Sequence, residues 1–134
     1  MSRFAPKKPA IVDEPLDTPI KLSELVKCTG EPDAPLNSKG LPCMFIAIKG
    51  TVFDVSGNTK AYGSGAGYHP LVGKDSSRPL GKSSLNPEDT DPKVSWDWSS
   101  LDDREQKVMN DWYTFFQNRY SIVGKISDLP RNIN

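Results

Sequence analysis

The chain has 134 residues, 36% of them hydrophobic and 9% aromatic, which supplies one modest core and not a second independent one. Seventeen basic side chains balance seventeen acidic ones, so no overall field draws the protein onto nucleic acid or anionic lipid. The longest apolar stretch, Cys43–Ile48, is six residues against the roughly 20 that cross a bilayer, and two cysteines with one histidine cannot close a zinc site.

Residues 1–19 contain four prolines and little periodic apolar pattern, which predicts a flexible proline-rich arm. The arm starts basic but lacks the apolar run of a secretory signal, so a cytoplasmic protein is expected. From Ile20 the residues alternate briefly, and Ser23 stands where it can cap a short helix, SELVKC, that ends before Gly30. EPDAPLNSKGLP, residues 31–42, reads as a loop. Cys28 and Cys43 flank it and are expected as small buried residues rather than a disulfide, which a reducing compartment disfavours.

MFIAIKGTVFDV, Met44 to Val55, carries two β-branched and aromatic runs around Lys49-Gly50 and predicts a tight hairpin, with Phe45, Ala47 and Val52 on one face. Between Ser56 and Ser84 long aliphatics are few, with five glycines between residues 57 and 73 and two tyrosines. Glycine is costly in both helix and strand, so short helices and turns are expected there. A long helix follows. Ser100 and Asp103 resemble a capping box, and Val108, Met109, Trp112, Phe115 and Phe116 recur at threes and fours along a core-facing stripe. SIVGKI after Tyr120 reads as a short closing strand, and residues 127–134 as a frayed tail.

Several side chains invite a chemical reading. Asp75 and Arg78 suit a local ion pair or helix cap better than a catalytic dyad. Trp96-Asp97-Trp98 suits packing against the long helix better than a partner surface, and Lys74 and Lys82 are too sparse for a phosphate site. A single histidine leaves no recognisable Ser-His-Asp or Cys-His arrangement, so no dedicated enzyme is expected.

The run AIKGTVFDVSGNTKAYGSGAGYHPLVGKDSSRPL resembles the core of the cytochrome b5-like haem/steroid-binding domain, and specifically the membrane-associated progesterone receptor family with its fungal damage-response haem proteins. The resemblance runs from Ile20 to about Ile126. It rests on the hairpin, the Y-G-x(4)-Y element from Tyr62 to Tyr68, the G-[KR]-D-x-S-R element from Gly73 to Arg78, and the helix ending DWYTFFQNRYSIVGKI. It implies an α+β fold over residues 20–126, a small mixed sheet with helices forming a ligand cleft.

The resemblance also implies a cofactor, ferric haem b, held through one tyrosine ligand at the position of Tyr68. Iron held by two histidines, as in cytochrome b5 itself, is excluded because only His69 is present. Free tyrosine has a pKa near 10, so a phenolate at neutral pH needs the cation and hydrogen-bond support. Tyr62 matches the family position that hydrogen-bonds the ligand oxygen, and Gly63, Gly65 and Gly67 would let the intervening loop bring both rings to one pocket. Arg119 and Tyr120 stand where the family has a lysine-tyrosine pair beside the haem, and arginine suits a propionate carboxylate well. His69, as a neighbour of Tyr68, points away from the same iron face and is the lesser ligand candidate.

The implied function is non-enzymatic haem binding that regulates or stabilises membrane cytochrome P450 enzymes of sterol synthesis, with sterols as a further ligand class and a peripheral place at the endoplasmic reticulum or another endomembrane. The alternative is a haem-free steroid-binding or accessory subunit that keeps only the fold. Relatives can pair through stacked haem faces. Leu71-Val72 in place of an aromatic residue, and Pro79 in place of a small one, count against that dimer here.

Overall fold

The computed structural model describes residues 12–130. Its elements run β1 (Pro19–Ile20), α1 (Leu22–Leu25), β2 (Phe45–Ile48), β3 (Thr51–Asp54), α2 (Thr59–Tyr62), a 3-10 turn (His69–Leu71), α3 (Ser77–Lys82), α4 (Pro87–Thr90), α5 (Asp103–Arg119) and β4 (Ser121–Ile126). The four strands form one mixed sheet in the order β1-β4-β3-β2. β4 pairs antiparallel with β3 and parallel with β1, so the strand expected to close the domain lies inside the sheet.

The hairpin forms where expected, with Ala47 opposite Val52 and Ile48 opposite Thr51. Lys49 and Gly50 both adopt left-handed backbone, at φ 52° and 81°, which matches the twist of a two-residue hairpin turn. Lys49 carries the steric cost of that conformation, and the residues leading into α3 hold the turn in place. Lys49 N donates to Ser77 Oγ at 2.7 Å and Gly50 N to Asp75 Oδ2 at 2.8 Å.

The two sheet faces have separate cores because side chains alternate along each strand. Ile46, Ile48 and Phe53 face the helices and join Met44, Leu71, Leu80, Met109, Trp112 and Phe116 in the main cluster. Ala47 and Val52 point the other way, against Leu25 with Phe45 at the margin, on the face the alternation predicted.

Helix α5 carries the expected stripe, with Met109, Trp112 and Phe116 buried. Its cap lies two residues beyond the expected one. Asp102 accepts from Glu105 N, and Glu105 reaches back to Asp102 N, so the reciprocal cap belongs to this pair instead of Ser100 and Asp103. Ser23 likewise sits inside α1, which starts at Leu22 with Lys21 N bonded to Glu24.

Residues 1–11 of the expected arm, and 131–134 of the expected tail, lie outside the described residues. The rest of the arm runs along β4. Asp13 N bonds Ser121 Oγ, Leu16 N bonds Ile122 O, and Lys125 N bonds Thr18 O. Asp128, in the tail segment, accepts from Leu22 N at 2.8 Å.

Cys28 and Cys43 are buried, as expected, but they are joined in a disulfide with Cα atoms 4.7 Å apart. Thr29 and Met44 form an antiparallel bridge, which brings Cys28 and Cys43, the residue preceding each, within disulfide reach. The expectation of two unbonded cysteines, which rested on compartment and not on geometry, is thus corrected.

Candidate functional site

Tyr62 ends α2. It reaches this position through a cap at Asn58, whose side chain accepts from Ala61 N. The chain then turns through Gly63–Gly67 and returns so that Tyr68 N bonds Ala61 O at 3.2 Å. At Gly63 a Cβ would stand 2.5 Å from the Thr59 carbonyl oxygen, and Gly65 has φ +82°, so both need glycine. A Cβ on Gly67 would meet nothing within 4 Å.

The loop is also closed by a side chain. His69 Nδ1 lies 2.7 Å from the Tyr62 carbonyl oxygen. A carbonyl only accepts, so Nδ1 carries the proton and the ring acts as a clasp between the ends of the loop.

The Tyr62 and Tyr68 rings therefore come together, with centroids 6.0 Å apart. Tyr120, just beyond α5, stands 6.2 Å from Tyr62. Tyr68 meets Trp112 edge to face at 6.1 Å, and the Arg119 guanidinium covers the Phe115 ring at 5.6 Å. Of the sequence-selected residues, Tyr62, Tyr68 and Tyr120 thus form one aromatic wall with Trp112 and Phe116 of α5, while Arg119 lies over Phe115 and lines a separate cleft with Tyr120.

The electrostatics of this wall centre on Tyr62. Burial drives its phenol pKa far above the ordinary value, and the neighbouring Tyr120 adds to the effect by charge and by a hydrogen bond. Tyr62 is therefore a neutral O–H group. Tyr120 in turn accepts from Asn58 Nδ2 at 2.8 Å, a link that sequence reasoning missed because it joins residues 62 positions apart.

Tyr68 is half-buried and opens onto a groove of about 220 Å³ lined by Leu71, Pro79, Leu80, Leu85 and Trp112, with Ser83 and Ser84 at one side. This lining suits a flat apolar ring system. The groove is smaller than a whole porphyrin and would take only part of one. Among the described residues no group of three or more His, Cys, Asp or Glu side chains could hold a metal ion.

The other candidates resolve as structure. Asp75 is fully buried, and burial raises its carboxyl to about 6 against the pull of donors from Ser77 and Gly50. It bonds the α3 entrance at Ser77 N, the helix-cap role expected of it. Arg78 pairs instead with Asp89 at 3.0 Å. Lys74 Nζ bonds Thr90 O, and Lys82 pairs with Glu105. Trp98 packs on the main core and takes the Lys49 ammonium over its ring at 5.7 Å.

A polar cleft of about 450 Å³ lies beside Tyr120, lined by Arg119, Asn58, Asp54 and Asp13 and by Asn37, Ser38, Lys39 and Leu41 of the 31–42 loop. Sequence reasoning selected Arg119 and Tyr120 but missed the wall opposite them, because the 31–42 loop has no periodic pattern and its only visible signal is the pair of flanking cysteines.

Comparison with known proteins follows the same lines. The chain is 43% identical over 83 residues to probable steroid-binding protein 3 of Arabidopsis thaliana, covering 62% of this chain and 79% of that one. It is 41% identical over 86 residues to the cytochrome P450 regulator dap1 of Schizosaccharomyces pombe, covering 62% of this chain and 52% of the relative, about half its length. The solution structure of a putative steroid-binding protein from Arabidopsis superposes with a TM-score of 0.68 at 36% identity, over 84% of this chain and 99% of the other. A second Arabidopsis structure, described as having a cytochrome b5 like fold, gives a TM-score of 0.67 at 34% identity over 83% and 92%. No family model matches the chain.

Proposed function

The chain belongs to the membrane-associated progesterone receptor family, whose cytochrome b5-like haem/steroid-binding fold it has, and on that premise we propose that it is a non-enzymatic protein that binds ferric haem b through Tyr68. The observation that carries this reading is the half-buried Tyr68 ring at the mouth of an apolar groove, beside a Tyr62 phenol that burial keeps protonated.

Bound haem would supply a ferric centre that favours an anionic oxygen ligand. Tyr68 offers that oxygen once it gives up its proton, and the positive metal lowers the cost of doing so. Tyr62 stays neutral and can donate its O–H to the Tyr68 oxygen. Trp112, Leu71 and Leu80 would exclude water on the groove side, and Arg119 with Tyr120 would meet the carboxylates of the macrocycle. An anionic oxygen ligand stabilises the ferric state, which suits holding, delivering or sensing haem better than carrying electrons.

One relative is a cytochrome P450 regulator. The partner proposed for this chain is therefore a membrane cytochrome P450 of sterol synthesis, which it would stabilise or regulate. Among the described residues no helix is long and apolar enough to cross a membrane, so the proposed membrane contact is peripheral, at the endoplasmic reticulum or another endomembrane.

A second reading, steroid binding without haem, draws on the same groove, whose lining is apolar apart from two serines and the Tyr68 hydroxyl, and on relatives named steroid-binding. Hemin titration separates the two. Saturable uptake with a high-spin ferric spectrum, lost in a folded Tyr68→Phe variant, supports the haem reading; equal weak uptake by both proteins leaves the steroid reading.

A further inference from the structure

The loop of residues 29–42 is tied mostly to itself. Asn37 Oδ1 accepts from Lys39 N and Leu41 N, Asn37 N bonds Leu41 O, and Cys43 N bonds Pro35 O. Its side-chain link to the hairpin is a 3.0 Å bond from Asn37 Nδ2 to Asp54. The Cys28–Cys43 disulfide closes the loop at its base. A polar loop with Leu36 69% and Leu41 41% exposed has little apolar burial of its own to hold it.

The disulfide has an approach from outside. It lies at the floor of an apolar groove of about 310 Å³ lined by Ile20, Pro35, Leu36 and Phe45, with Glu24 and Lys27 at the rim. Cys28 is the more accessible half, 7% exposed against 2% for Cys43. The tip of the loop forms the wall of the polar cleft beside Arg119 and Tyr120.

We propose that Cys28–Cys43 is a reversible thiol–disulfide exchange site for a dithiol reductant, and that its state sets whether the 29–42 loop stays closed over the cleft beside Arg119 and Tyr120. A thiolate of the reductant attacks the Cys28 sulfur, and the Cys43 sulfur leaves as a thiolate and takes a proton. The second thiol of the reductant then attacks its own sulfur in the mixed disulfide and releases Cys28, which is protonated in turn. The net result moves two electrons and two protons to the protein and leaves the reductant as a disulfide. Once the bond is open, the base of the loop keeps the Gly30 N–Cys43 O and Phe45 N–Cys28 O bonds, and its tip is held to the hairpin by Asn37–Asp54.

The test uses the full chain without hemin, so its outcome does not depend on the haem reading. Native protein is exposed to dithiothreitol, alkylated, weighed by mass spectrometry, and followed by amide hydrogen exchange. Two alkyl groups should be gained, and exchange at residues 31–41 should speed up at least tenfold while the amides of α5 keep their rates. A Cys28→Ser/Cys43→Ser variant should exchange like the reduced protein. Failure of dithiothreitol to open the bond under native conditions would show a sealed structural crosslink and overturn the proposal. Exchange at 31–41 that is the same in all three forms would overturn it as well.

Discussion

Tyr62 and Tyr68 stand six residues apart with ring centroids 6.0 Å apart and planes inclined by 35°, and a 2.7 Å hydrogen bond that His69 Nδ1 donates to the Tyr62 carbonyl closes the loop between them. A helix would place such residues on different faces. The glycine-rich turn puts them on one wall, where a protonated phenol can support a deprotonated one.

That support should be measurable. Tyr62 now bonds with Tyr120, and the proposed role turns its proton toward the Tyr68 oxygen when haem is held. Hydrogen bonds to charged groups contribute about 1.5–3 kcal/mol, so Tyr62→Phe should weaken hemin binding about 10- to 100-fold while leaving the spectrum ferric and high-spin. Absorbance titration of the two proteins checks this.

Asp75 gives a pH signature independent of haem. Its carboxyl is pushed up to about 6 by burial, so between about pH 4 and 6 the folded protein keeps a proton that the unfolded chain has lost. Its contribution to stability is full below about pH 4 and is lost as the pH rises through 6, on the order of 3 kcal/mol. The donors on Asp89 and Asp97 act the opposite way and hold those carboxyls below their ordinary value, so their contribution is complete above about pH 4. Urea unfolding across pH 4 to 7 should show a falling limb in the wild type that Asp75→Asn removes.

Gly63 and Gly67 make a matched pair. A methyl on Gly63 meets the Thr59 carbonyl oxygen, a backbone atom that cannot step aside, and a methyl on Gly67 meets nothing. Gly63→Ala should cost about 1–3 kcal/mol and displace Tyr62, lowering hemin affinity. Gly67→Ala should leave both thermal unfolding and hemin titration close to wild type.

Periodic and local features were legible in the sequence. The stripe on α5 follows from spacing alone, and the Lys49-Gly50 turn follows from its composition and flanking strands. What was not legible depends on contacts between distant segments. The Asn58–Tyr120 bond, the Asp75 link to Gly50, the place of β4 inside the sheet and the Cys28–Cys43 bond all join residues whose separation in sequence carries no local signal. The caps of α1 and α5 each lie two residues from the expected serine, at Lys21 and Asp102, because several capping-competent residues stand close together at each start. The site residues were chosen through family resemblance; the folded chain sets the Tyr62 ring 6.0 Å from Tyr68 and 6.2 Å from Tyr120, and Arg119 over Phe115.

The most direct test of the central claim is resonance Raman spectroscopy of the ferric complex, excited into its charge-transfer band, for wild type, Tyr68→Phe and His69→Ala. The account predicts phenolate modes in the wild type, their retention in His69→Ala with weaker hemin binding as the loop loses its clasp, and their disappearance in Tyr68→Phe. Phenolate modes that survive in Tyr68→Phe, or a ferric spectrum erased by His69→Ala instead, would contradict it.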